Sequence, residues 1–473
     1  MAKLSRNIGS LFLSDIVSRG FGFIVTVYLA RVLTIRGFGL ISYGLAFLTY
    51  ALLFVNPGLT TIGAREIAKN HSNKKLVEEI IGLKMTIGFV VFVVFGVGLI
   101  LIPGDPLTKK IIFIYLFSLF PFTVLLEFVF QGTQDMEYIA ASRFIHYLVY
   151  FVFIFLLVKG SGDVAKVPLS YFLGYALGTG FLLIVFSGRY GLLRLRFARR
   201  RWYDLLRISI PVGLATIFNQ LLLNFPPVIL GIFHCKEEVA LFSAAFKIIL
   251  MLLIIERVFY FVFFPVFSRQ YRSEPTKLKS SFMFISKLLF AVTIPIAAGG
   301  ILLSHEMIGF IYGVKFADAA PVLQLLLLYF IVTPLNTIFG YGLVAVDEQR
   351  KFLKVIFITS LINLFLIVVL SLYFKAQGAA AAIFVSELLG VILMNRELKK
   401  KIAFNTLKAA VKPTTAALIM AALLYRLQDI HFLLRILMGV FVYIIIMLLI
   451  KGFSRSEYRK MKAVFGEERK RIP

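Results

Sequence analysis

The chain has little of what builds a soluble enzyme site. Of its 473 residues one is cysteine, Cys235, one is tryptophan and five are histidine. A single thiol excludes a disulfide framework and any cysteine-based metal cluster, and five scattered histidines argue against a histidine metal site. Charged residues make up only 16% of the sequence, where an ordinary soluble domain carries roughly 25%. With 60% hydrophobic residues and a mean hydropathy of +0.91, a soluble globular fold is excluded. Acid is scarcer than base: 24 Asp plus Glu stand against 51 Lys plus Arg, a formal net charge of +27. No Walker A, HExxH, GxSxG or EF-hand pattern occurs, so ATP hydrolysis and metal-assisted chemistry have no visible basis. No metal and no organic cofactor is expected.

What the chain has instead is a succession of apolar runs near the ~20 residues that a bilayer requires. Reading them between charges and Gly/Pro punctuation predicts an all-α integral membrane protein of about fourteen transmembrane helices. They are placed at 8–31, 38–64, 81–102, 111–131, 138–158, 166–187, 205–232, 238–267, 281–303, 319–345, 353–374, 379–395, 411–427 and 432–450. Asp15 and Arg19 interrupt the first run and no small-residue cleavage site follows it, so it reads as a retained first helix. Asn56-Pro57-Gly58, Pro121, Pro226-Pro227, Pro265 and Pro334 are expected to break or bend their helices.

The basic excess is read first as orientation. Most Lys and Arg fall in loops on the side of the N-terminus: Lys3 and Arg6, Arg65 to Lys84, Arg143, Arg189 to Arg207, Arg269 to Lys287, Arg350 to Lys354, Arg396 to Lys412, and the tail from Lys451. A smaller set, including Arg36, Lys109, Lys110, Lys236 and Arg435, falls opposite. By the positive-inside rule the chain is a multi-pass protein of the cytoplasmic (inner) membrane with both termini cytoplasmic. The stretch RLRFARRRW, Arg194 to Trp202, belongs to this pattern. It reads as an orientation signal able to touch anionic headgroups, and no nucleic-acid partner is expected.

An internal repeat orders the first twelve helices. Asp15, Ser18 and Arg19 of the first helix align with Thr216, Asn219 and Gln220 of the seventh, and Ser42 of the second with Ser243 of the eighth. Six helices of like orientation per half make a parallel repeat, giving two six-helix bundles plus two C-terminal helices. The expected domains are 1–204, an N-terminal bundle with a cytoplasmic linker; 205–402, a C-terminal bundle; and 403–473, two extra helices with a basic tail.

Ionisable residues inside the spans are costly at roughly 2.5–3.5 kcal/mol each, so they face partners or water. Asp15 and Arg19, four apart with Ser18 between them, share a helix face. They form either a self-neutralising pair that locks packing or part of a cavity in which Arg19 meets an anionic substrate and Asp15 binds a coupling cation, H⁺ or Na⁺. Thr216, Asn219, Gln220 and Asn224 make a matching polar stripe on the seventh helix. In the eighth, Lys247 and Arg257 lie about 80° apart around the helix and about 15 Å apart along it, so both can face one lumen. Arg65 at the cytoplasmic end of the second helix is either a snorkelling anchor or a further substrate contact. Glu127, His146 and Glu387 read as interhelix hydrogen-bonding groups. A lumen with more cations than anions suits a phosphate-bearing or acidic substrate.

Three segments carry a resemblance. The opening NIGSLFLSDIVSRGFGFIVTVYLARVL with GFGLISYGLAFLTYALLFVNPGLTTIGAREIA, then ALFSAAFKIILMLL with FFPVFSR, then IYGVKFADAAPVLQLLLL, resemble the polysaccharide-biosynthesis (O-antigen type, Wzx-like) flippases of the multidrug/oligosaccharidyl-lipid/polysaccharide exporter superfamily. The resemblance implies two six-helix bundles around a central cavity. It further implies a flippase that moves a polyprenyl-diphosphate-linked oligosaccharide across the membrane by alternating access, alongside other polysaccharide-assembly proteins. The family's cationic cavity falls on Arg19, Lys247 and Arg257. The alternatives are a multidrug/cation antiporter of the same superfamily, which would call for carboxylates in the lumen, and a membrane-embedded polysaccharide polymerase, which would call for a large external loop or an acidic catalytic cluster.

Overall fold

The computed structural model describes residues 2–70, 73–101, 103–256, 259, 275–402, 406–455 and 457–459. No strand occurs among the described residues. Ten helical segments among the described residues are long and apolar enough to cross a membrane. The chain divides into two compact units, Met1–Ala244 and Ala245–Pro473.

The first unit begins with α1 (Ala2–Val32) and α2 (Ile35–Val55), separated by a short turn in which Thr34 caps α2 by accepting from the Gly37 amide at 3.0 Å. The second expected span does not run on to residue 64. It breaks at Asn56-Pro57-Gly58 and resumes as α3 (Leu59–Lys69). Proline cannot donate and pushes its predecessor out of helix, while Asn56 caps the new helix by accepting from the Thr60 amide at 3.1 Å. Gly58 takes φ +82°, and a Cβ there would lie 2.4 Å from the Ser209 carbonyl oxygen. The elbow thus seats backbone against backbone on the first turns of α10 (Arg199–Phe233).

α4 (Lys74–Leu101) follows, and then a span that is also broken. Instead of one helix over 111–131 the chain forms α5 (Pro106–Leu116), α6 (Leu119–Thr123) and α7 (Glu127–Gly132). Pro121 has no amide to give to the preceding turn. α8 (Met136–Leu157) and α9 (Lys166–Tyr190) then pack along each other and α8 lies on α1. Leu59, Ile80, Leu126, Phe128, Phe130 and Phe186 are the centre of this unit's core. α10 packs on α2, α3 and α4, and α11 (Lys236–Leu252) starts in this unit and ends in the next.

In the second unit α12 (Pro275–Leu302), α14 (Ala320–Ala345) and α15 (Gln349–Lys399) surround a core of Phe282, Leu289, Phe339, Leu343 and Met394, and α13 (Ser304–Tyr312) lies between α12 and α14 in the chain. α15 holds both the eleventh and the twelfth expected helices, turned against each other at Lys375, whose φ is +50°. α16 (Thr406–Arg426) and α17 (Phe432–Leu449) share a smaller core with α12 through Met420, Leu424, Tyr443 and Met447. Tyr443 donates to the Ala291 carbonyl at 2.9 Å.

Candidate functional site

Several expected site groups fall outside what the structure describes: Arg257 altogether, and the side chains of Asp15 in α1 and of Thr216, Asn219 and Gln220 in α10. The rest can be placed. On α1, Ser18 is buried, its hydroxyl meeting no hydrogen-bond partner among the described residues, and Arg19 is partly buried. This stretch of α1 rests on α8 through Phe21, whose ring meets Phe151 edge-on at 5.3 Å. Asn224 is partly buried on α10. Lys247 is partly buried on α11 and belongs to the second unit, whereas Arg19 belongs to the first. Arg65 is exposed on α3 and reaches its neighbour Glu66 from Nε at 3.1 Å and Nη2 at 2.9 Å. Hydrogen bonds from Lys69 first and Arg65 second hold the Glu66 carboxyl below the usual carboxylate range.

Two polar centres inside the apolar helices join Glu127 and Glu387, read from sequence as interhelix groups, to residues that the sequence did not single out. In the first unit, Lys84 was expected among the cytoplasmic loop cations, but it is fully buried. Its ammonium donates to the Phe122 carbonyl at 3.1 Å, at the break between α6 and α7, and lies 5.0 Å from the Phe122 ring. The same break exposes an N-terminus where Glu127 starts α7, and Arg143 of α8 clasps that carboxylate from two nitrogens. Glu127 thus bridges helices as expected. His146 does not: its Nε2 is buried without a hydrogen-bond partner among the described residues, and the ring is stacked on Tyr147 at 4.7 Å and held by Tyr171 and Tyr175.

The second unit holds a carboxylate centre. Tyr329, Thr333, Asn336 and Thr337 of α14 recur at helical spacing. Asn336 donates to Glu387 of α15 at 2.8 Å, and the Thr337 hydroxyl donates to Glu256. Asn363 donates to Ser386 at 2.5 Å beside it. Arg435, counted by sequence on the external side, is a third surprise. It is 3% exposed on α17, donating to Glu306 at 2.7 Å and to the Leu424 carbonyl at 3.2 Å. The two C-terminal helices are therefore locked by charge as well as by apolar contact.

The basic stretch after α9 is not a loose loop. Glu78 and Glu79, both 2% exposed on α4, receive it. Arg194 donates its amide to Glu78 at 3.0 Å, Arg196 its Nε to Glu78 at 2.7 Å, Arg201 its Nε to Glu79 at 3.2 Å, and Trp202 its indole N–H to the Glu79 carbonyl at 3.1 Å. Gly82 makes the approach possible, since a Cβ there would lie 2.5 Å from the Arg196 carbonyl oxygen.

Membrane-length helices with ionisable groups paired between them define a multi-pass α-helical membrane protein. Its fold is that of the solved lipid II flippase MurJ in an inward closed conformation, with a TM-score of 0.77 at 16% identity over 93% of this chain and 98% of that one. A multidrug resistance MATE family transporter of the MOP superfamily in an inward-facing conformation matches with a TM-score of 0.60 at 14% identity, over 83% of this chain and 98% of its own. Residues 4–271 match the polysaccharide biosynthesis protein family, and the chain belongs to that family. Among curated relatives, the "Putative O-antigen transporter" of Shigella dysenteriae is 23% identical over 407 residues, 84% of this chain and all of its own length. The "Probable low-salt glycan biosynthesis flippase Agl15" of Haloferax volcanii is 24% identical over 242 residues, 49% of this chain, and the alignment spans 51% of that protein. These relatives carry transporter and flippase names, not enzyme names.

Proposed function

We propose that the chain is a flippase that carries a polyprenyl-diphosphate-linked oligosaccharide across the cytoplasmic membrane. The observation that carries this reading is the match of residues 4–271 to the polysaccharide biosynthesis family in a chain built of membrane-length helices. The names of the Shigella and Haloferax relatives support the same substrate class. Fourteen spans form two six-helix repeats, 1–204 and 205–402, followed by the helix pair of 403–473, with both termini cytoplasmic.

In this reading a phosphate cannot enter hydrocarbon without partners, because the desolvation cost is prohibitive. Arg19, Lys247 and Arg257 supply them from a central cavity, with Arg65 at its cytoplasmic edge and Ser18, Thr216, Asn219, Gln220 and Asn224 as its polar lining. The polyprenyl tail stays in lipid while the two repeats rock about the cavity. Asp15 binds the coupling ion, H⁺ or Na⁺.

The test is transport of a labelled polyprenyl-diphosphate oligosaccharide in reconstituted vesicles. Arg19→Ala and Lys247→Ala each abolish transport while the protein remains folded in the membrane. Full transport by both variants would overturn the cationic cavity, and no transport by the parent chain would overturn the substrate class.

A further inference from the structure

The outward face of the first unit carries a trough that the flippase reading does not use. α4 between Phe92 and Ile100 and the first turns of α5 enclose about 560 Å³, lined by Phe92, Val93, Gly96, Val97, Lys109 and Phe113 among others. The stretch of α4 from Phe92 to Ile100 is about 12 Å long. Its wall is aromatic: the Phe92 ring meets Phe113 at 5.7 Å, Phe117 at 5.5 Å and Phe120 at 5.1 Å. Its floor is open at Gly96, where an added Cβ would meet nothing within 4 Å.

One end of the trough is apolar throughout and the other is cationic. Lys109 and Lys110 lie at that end, on the second turn of α5. Lys109 donates to the Ile100 carbonyl at 3.3 Å, which draws its stem across the mouth, and neither lysine forms an ion pair among the described residues. The nearby carboxylate, Asp105, is occupied: it accepts from the Thr108 amide at 3.2 Å and hydroxyl at 3.1 Å and faces Arg36 at 3.6 Å. An apolar slot about 12 Å long that ends in two lysines has the complementarity of a lipid with an anionic head. Lysine stems cover apolar surface while their charges stay at the headgroup level, where each strengthens attraction to an anionic lipid surface roughly fivefold.

We infer that the α4–α5 trough binds an anionic phospholipid, one acyl chain along Phe92 to Ile100 and the headgroup phosphate at Lys109 and Lys110. The site is structural or regulatory to the first unit and separate from the residues assigned to substrate.

The experiment uses the full chain, purified and delipidated, then exposed to mixed micelles of phosphatidylglycerol or phosphatidylcholine, with retained lipid counted by native mass spectrometry. Phosphatidylglycerol is retained several-fold more than phosphatidylcholine. Lys109→Gln/Lys110→Gln brings the ratio to one, Lys109→Arg/Lys110→Arg keeps it, and Gly96→Leu, which grows from a position with open space at the Cβ, lowers retention of both lipids. Equal retention of the two headgroups by the parent chain overturns the inference, as does a ratio unchanged by the glutamine pair. So does displacement of phosphatidylglycerol by an equimolar polyprenyl phosphate, which would assign the trough to an isoprenoid chain.

Discussion

Glu127 accepts both arms of the Arg143 guanidinium, Nε at 2.9 Å and Nη2 at 2.8 Å. This bidentate clasp joins the first residue of α7 to α8 across the break in the fourth span. A planar fork matched to a carboxylate is specific to arginine. Arg143→Lys retains charge and loses the fork. The side chains are 41% and 25% exposed, so the loss lies between surface and buried values, about 1–2 kcal/mol. A thermal-shift measurement in detergent that finds Arg143→Lys as stable as the parent would show that the second hydrogen bond contributes nothing.

Lys84 invites the opposite expectation. Its ammonium is fully buried with a single hydrogen-bond acceptor among the described residues, the Phe122 carbonyl, and that oxygen also accepts from the Leu125 amide at 3.3 Å. Replacing a poorly compensated buried charge by an apolar side chain of similar length is neutral or stabilising. Lys84→Met therefore raises stability by about 1–2 kcal/mol, whereas Lys84→Glu prevents folding. A marked drop in melting temperature for Lys84→Met would mean that the ammonium holds the α6–α7 break in place.

At the elbow between α2 and α3, Gly58→Ala adds left-handed strain of about 1–2 kcal/mol and a clash with the Ser209 carbonyl. Gly213→Ala crowds the same seam, since its Cβ would lie 2.3 Å from the Pro57 carbonyl carbon. Once either alanine has forced the seam apart, the second costs less, so the pair is sub-additive. A double-mutant cycle with strictly additive losses would show that the two glycines act separately.

Acid weakens the turn between α8 and α9. The hydrogen bond from Lys166 first, and then the amides of Lys159 and Gly160, hold the Asp163 carboxyl below the usual range. A carboxylate depressed in the folded state contributes stability that is present above its unfolded pKa, near 3.9, and lost as pH falls through the lower folded value. Unfolding of the parent thus gains a proton-linked component below about pH 4 that Asp163→Asn lacks. Identical acid profiles for the two proteins would rule out Asp163 as a contributor.

The helices were legible because their apolar runs are long, and the break at Asn56 to Gly58 because proline and glycine act locally. The buried charges were not. Lys84, Glu78, Glu79 and Arg435 look like loop or end residues in the sequence, and each is buried by an element distant in the chain: the α6–α7 break for Lys84, residues 194–202 for the two glutamates, Glu306 for Arg435. A count of charges by position assigns sides of the membrane. It does not register which helix face meets a partner. Of the expected site, Arg19, Lys247 and Asn224 lie on long helices and are partly buried, while Arg65 is exposed and bonded to Glu66.

The stitching of residues 194–202 to α4 has a mechanical side. A connection fastened at Arg194, Arg196, Arg201 and Trp202 holds no slack to pay out. Any displacement of the start of α10 must either drag α4 with it or rupture four polar contacts at once. The polypeptide there behaves as a strut and not as a tether, and lengthening it by inserted residues would leave the grip of Glu78 and Glu79 as the element that fixes where α10 begins.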